Sequence, residues 1–235
     1  MIQPHCILVV PGSLSGTPQG NTILGINAGS GGTNITNNTF IGNDAGSGTT
    51  ICTDNTFVGK KAGFYNLNKN LNTYIGSESG FIRGNNNVAV GYQAFNSFFA
   101  PVNDNVGIGY RAGFSISGSG SSVVLIGREA GRFTQATGHV AVGYNAGYSN
   151  TTGSENTNIG YQSGYTNSTS GSNTNVGYQA AYYATGQQLA AFGYRALFGS
   201  SGASSGSYNS AFGREAGVAV TSGSQNTLLG AAPGS

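Results

Sequence analysis

Apolar and polar positions alternate along this chain in short phrases that recur. Thirteen glycines anchor them: Gly25, Gly42, Gly59, Gly76, Gly91, Gly109, Gly127, Gly143, Gly160, Gly177, Gly193, Gly213 and Gly230. Their intervals run from 15 to 20 residues, with a mean near 17. The residue before each anchor is apolar in all thirteen phrases, and two residues earlier stands Thr or Val in eleven. Three residues after the anchor stands Ala or Ser in twelve. Even separations place residues on one face of extended chain, and the β-branched bias agrees with strands. A helix needs spacings of three and four. On this reading Ile108, Ile126, Val142, Ile159 and Val176 form one continuous buried column. The intervening column holds Phe40, Phe57 and Tyr74, then Ala89, Gly107, Ala141, Asn158, Asn175, Ala191 and Ala211. A column that accepts both Phe and Asn is expected to face away from a uniform core.

A second Gly follows four residues after the anchor in ten phrases, as at Gly46, Gly63 and Gly147, and suits a positive φ at a corner. Asn stands four residues before the anchor in ten phrases, where its side chain can bond turn backbone. A coil of this length has room for about two five-residue strands and two turns. It buries no core alone, so coils must stack and share one. The pattern predicts an all-β fold: a parallel β-roll or β-solenoid of about thirteen coils over residues 21–234. At about 4.8 Å per step the stack is roughly 58 Å long. The longer loops, Gly113–Ser122 and Phe198–Tyr208, are expected to project from one corner. Residues 1–20 read as a separate leader, cap or attachment segment.

Composition narrows the class. Gly contributes 41 residues and Asn 26, while charged residues make up 7%. Glycine without a strict three-residue period excludes collagen, and 37% hydrophobic residues argue against a charge-solvated disordered chain. The net charge of +2 gives no basic field for nucleic acid. No apolar run is long enough for membrane insertion as a helix. The segment Met1–Val10 lacks the basic start and long apolar stretch of a secretion signal. Cys6 and Cys52 do not amount to a disulfide framework.

The phrases NNVAVGYQA at Asn86–Ala94 and NDNVGIGYRAG at Asn103–Gly113 resemble the head repeats of YadA-type trimeric autotransporter adhesins. Similar repeats, with phrases like GYQSG at Gly160–Gly164 and SNTTG at Ser149–Gly153, occur in bacteriophage tail fibres. The resemblance covers Asn21 to about Gly234. It implies a left-handed roll, three chains side by side about a threefold axis, and a role in adhesion or fibre construction. Two departures stand out. The period is longer than the family's, and these residues hold no heptad stalk and no outer-membrane anchor. They favour a fibre segment, or a part joined to something else.

Tyrosine follows the anchor at Tyr92, Tyr110, Tyr144, Tyr161, Tyr178 and Tyr194. Stacked coils would align them in a ladder interrupted by Arg128. The receptor reading is a surface that stacks on sugar rings. The bland reading, which is favoured, is a ladder that stabilises the solenoid or packs between subunits. Phe95, Phe98 and Phe99 fill a bulge or mark a partner contact. GREAG occurs at Gly127–Gly131 and Gly213–Gly217; as neighbours on a strand, its Arg and Glu would face opposite ways. His139 takes the place of a turn Asn. Sequons at Asn34, Asn37, Asn150 and Asn167 matter only in a glycosylating host. No catalytic, cofactor or metal constellation is legible, and neither His5 nor His139 stands in a nucleophile context.

The expectation is therefore a non-enzymatic, extracellular, fibrous protein: a homotrimeric tail-fibre or surface-adhesin head segment touching a glycan or protein receptor. The alternative is a filament subunit stacked end to end, with Ile7–Val10 covering the edge of the next copy. An ice-binding face is a third reading. It needs Thr22, Thr39, Thr56 and Thr73 to point outward, whereas the pattern puts that column inward and turns it to Val later.

Overall fold

A computed structural model describes residues 20–97, 101–117, 120–201 and 204–231. Those residues are all β, without a helix, and form a parallel β-solenoid of about 12 turns. Thirteen three-residue strands, from Thr22–Leu24 to Thr227–Leu229, make one continuous sheet in sequence order. Every pairing joins equivalent repeat positions, as in Val140↔Thr157, Ala141↔Asn158 and Val142↔Ile159. The strands are shorter than the five residues expected. The second face carries only one two-stranded sheet among the described residues, Asn34–Thr36 with Ile51–Thr53. Elsewhere on that side, hydrogen bonds between turns of successive coils do the same work, as when the Gly147 N–H donates to the Ser163 carbonyl (2.9 Å).

The two faces of the long sheet are the reverse of the expectation. The middle residue of each strand points inward: Phe40, Phe57, Tyr74, Ala89, Leu125, Ala141, Asn158, Asn175, Ala191 and Ala211 are buried. The flanking columns point out. Ile108 and Ile159 are each 38% exposed, and Ile126, Val142 and Val176 are half-buried, so they are not a core column. The error lies at the anchor glycine. Alternation holds only within the strand, and anchors such as Gly42 and Gly143, at φ 132° and 133°, end it. The buried Ala three residues on therefore lies beyond a turn, where parity with the strand is lost.

Why the inner column varies so widely is a matter of shared volume. Where the strand residue is large, the residue four after the anchor is Gly; a Cβ on Gly63 would lie 2.5 Å from the Phe57 ring. Where the strand residue is Ala89 or Gly107, the space is filled by Phe95, which replaces that glycine and lies 2.7 Å from where a Gly107 Cβ would stand. Leu197 does the same beside Ala191 and Ala211, within one apolar cluster. Phe95 and Leu197 hold φ of 50° and 47°, a left-handed conformation that costs an L residue roughly 1–2 kcal/mol. Packing offsets that strain. Gly46, Gly63 and Gly147 have the expected positive φ, near 60°.

The Asn column is also interior. The Asn55 N–H donates to Asn38 Oδ1 (3.0 Å), the Asn72 N–H to Asn55 Oδ1 (3.0 Å) and the Asn87 N–H to Asn72 Oδ1 (2.9 Å). Asn38 Nδ2 donates to the carbonyls of Thr36 and Cys52. Bonding to turn backbone was expected of these residues, but their burial was not. Cys52 is buried and its thiol is pushed up to about 11 by that burial. Cys6, His5, Phe98, Phe99 and the leader lie outside the described residues, as do the tips of the two long loops.

Candidate functional site

The segment after each anchor turns through one exposed corner. Its second residue is left-handed in coil after coil, as at Lys61, Arg111, Gln162 and Arg195 (φ 55°, 53°, 50° and 52°). That turn sets the first and fifth residues after the anchor side by side, and both columns become ladders. Tyr144, Tyr161, Tyr178 and Tyr194 stack with ring centroids 5.1–5.2 Å apart and planes within 8°. Tyr92 and Tyr110 stack at 5.6 Å. All six are exposed.

The fifth-residue column is a second ladder that sequence reading missed. Tyr148, Tyr165, Tyr182 and Phe198 stack at 4.9–5.4 Å. Its signal was present: an aromatic follows the second glycine in Gly147–Tyr148 and Gly164–Tyr165. Partial burial, then neighbouring phenols, raise the hydroxyl pKa of Tyr165 and Tyr182. Between the ladders runs a polar row in which Gln179 Nε2 donates to Gln162 Oε1 (2.9 Å) and Arg111 Nε to Gln93 Oε1 (2.8 Å). Ring faces within a ladder are covered by neighbouring rings. What points outward is ring edge and phenol hydroxyl, so stacking of sugars on these faces has no free face to use except at ladder ends.

Arg128 fills the gap in the first ladder, its guanidinium 5.1 Å from the Tyr110 ring centroid and 5.8 Å from that of Tyr144. The GREAG segments lie in this turn, not on a strand as expected. In the second, Glu215 lies 3.9 Å from Arg214 and 3.7 Å from Arg195; in the first, Glu129 pairs with Arg132, which follows the motif, and not with its own Arg128.

His139 is no turn residue. It is fully buried, with Nδ1 3.1 Å from Thr134 Oγ1 and from Asn150 Nδ2, and Nε2 3.1 Å from Asn158 Nδ2. Burial alone pushes its pKa down to about 4. Asn150 and Asn167 are buried too, their amides bonded to the carbonyls of Gly153 and Ser170, so neither offers a free sequon. Among the described residues there is no group of three or more potential metal ligands, and no helix long and apolar enough to cross a membrane. Comparison with protein-family models, curated proteins and solved structures gives no match.

Proposed function

We propose that this chain is a non-enzymatic, extracellular structural and adhesion protein: a fibre or adhesin head segment in which three copies pack side by side. One observation carries the reading. The outward face of the long sheet is a strip of Thr, Val, Ile, Leu and Phe, with Ala190 and Ser210, two columns wide and thirteen strands long, and no charged residue stands in it. Ile75, Ile108, Ile159 and Phe212 stand exposed on it, and Phe192 and Phe212 stack at 5.1 Å. Soluble monomers seldom leave so long an apolar strip open to water. Closed symmetry about a threefold axis buries one such strip on every copy. The resemblance to trimeric adhesin heads and tail fibres points the same way. The small inner column, Ala89 to Ala211, belongs to each roll's own core and has no part in this contact.

Sedimentation of the isolated protein tests the reading, and should give three chains per particle. Ile108→Asp should then separate the chains while each keeps its β structure. Ala141→Asp, which puts an unpaired charge inside the roll, should unfold it. A stable soluble monomer overturns the trimer. Long fibres favour end-to-end assembly instead. The Thr column does face outward, but it shares the strip with an unbroken apolar column, which suits chain–chain contact better than a regular hydroxyl array.

A further inference from the structure

Charge is unevenly placed on this roll. Seven of the nine basic residues lie within the five positions that follow an anchor glycine: Lys60, Lys61, Arg111, Arg128, Arg132, Arg195 and Arg214. Only four of the seven acidic residues share that corner, which therefore carries +3 in a chain of net +2. The charge is densest in two adjacent coils, where Arg111, Arg128 and Arg132 face a single acid, Glu129, which Arg132 engages.

These three guanidiniums are held against rings. Arg111 lies 5.1 Å from the Tyr110 centroid and 5.0 Å from that of Phe114. Arg132 lies 5.4 Å from Phe114 and 5.8 Å from Tyr148. Arg128 is exposed between Tyr110 and Tyr144 and forms no ion pair among the described residues. A guanidinium held against an aromatic face has already lost much of its freedom. Arg132 is engaged by Glu129 and Arg111 spends its Nε on Gln93, which leaves the N–H fork of Arg128 as the one of the three open to a planar anion.

We infer that the Arg111–Arg128–Arg132 cluster binds the carboxylate of an acidic polysaccharide lying along the tyrosine ladders. Arg128 supplies a bidentate charged contact. The phenols of Tyr110 and Tyr144 take sugar hydroxyls on either side, and the hydroxyls repeating at about 5 Å along the stack serve the neutral stretches of the chain. Sparse cations among many hydroxyls suit a polymer with occasional carboxylates. Duplex nucleic acid, with a charge every ~1.7 Å of axis, needs a denser basic track. The inference rests on the adhesion reading and gives it a ligand class.

The experiment is calorimetric titration of the full chain with galacturonan oligomers in which single free carboxylates are spaced by methyl-esterified residues, at low and at physiological salt, beside their fully methyl-esterified forms. Binding to the acid and not to the ester is expected. Arg128→Gln and Arg111→Gln should each weaken it roughly ten- to hundredfold, the range of one charged hydrogen bond. Lys69→Gln, off this corner, should leave it unchanged. Unaltered melting of the variants shows that the roll is intact. No binding at low salt, equal binding of acid and ester, or indifference to Arg128→Gln overturns the inference. So does equal binding of duplex DNA or phosphatidylglycerol vesicles. Three chains per particle together with attachment to a neutral glycan would leave the adhesion reading standing while this inference fails.

Discussion

The coils built on Phe40, Phe57 and Tyr74 and those built on His139, Asn158 and Asn175 follow one backbone path around unlike interiors. In the first set, rings stack at 5.0 Å with planes within 8°, and the glycine across from each leaves room for it. In the second, the interior is a chain of hydrogen bonds: Asn175 Nδ2 donates to Asn158 Oδ1 (2.9 Å), and Asn158 Nδ2 meets His139 Nε2. That polar layer divides the apolar core into one cluster from Ala28 to Ala146 and another from Ala180 to Ala216. Asn175 Oδ1 is buried there without a partner, and in the aromatic set the Tyr74 hydroxyl is similarly placed, with no well-formed hydrogen bond. Either filling works, because what defines a coil is the glycine frame and the ladder between coils. The interior needs only to be full and nearly satisfied.

The largest effect should come from the frame both regions share. A Cβ on Gly143 would lie 2.5 Å from the Gly160 carbonyl oxygen at φ 133°. Gly143→Ala should cost more than about 4 kcal/mol or prevent folding, as read by denaturant unfolding. A loss under ~1 kcal/mol would show that the coils can slide apart and that the frame is not what unites the two regions.

Next comes the aromatic filling. Phe57→Ala should cost about 3–5 kcal/mol, since a ring stacked on both sides leaves a cavity that the glycine corner cannot close. Melting temperature checks this, and a mild loss would mean that neighbouring coils collapse into the gap.

The polar filling should respond to acid, and the aromatic filling should not. His139 titrates near 4 when folded, below its ordinary 6.5. The unfolded chain therefore takes up the proton first, and stability falls as pH drops from about 6.5 to about 4, by up to roughly 3 kcal/mol. His139→Asn should remove that part of the pH dependence. Hydrogen exchange at mildly acidic pH should loosen Val140–Val142 and Thr157–Ile159 before Thr56–Val58. Equal protection in both regions would erase the distinction drawn between them.

Much of this was legible in the residues. The anchors fixed the coil length, the strand positions and the register of every pairing, because a parallel ladder aligns equivalent positions once the turns are equivalent. The first tyrosine ladder followed from that register. The second did not, because its aromatics lie beyond a left-handed turn whose direction a two-residue period does not describe. The burial of His139 was missed for a related reason. The Asn column looks like turn chemistry locally, and only the neighbouring coils show that its turn closes inward.

By itself, then, the sequence determined a stacked parallel β-solenoid with its strands at set places, since backbone geometry and glycine placement are local and repeat. Which side of the three-residue strand is the inside was decided only in the tertiary structure. Alternation separates two faces without saying which is enclosed. The enclosed column could vary because its volume is shared with residues from other parts of the coil, Phe95 supplying what Gly107 lacks. The uniform column could lie outside because β-branched neighbours support one another across strands at the surface as well as in a core. Uniformity here marks the face that repeats without help from elsewhere, and variation marks the one whose packing is collective.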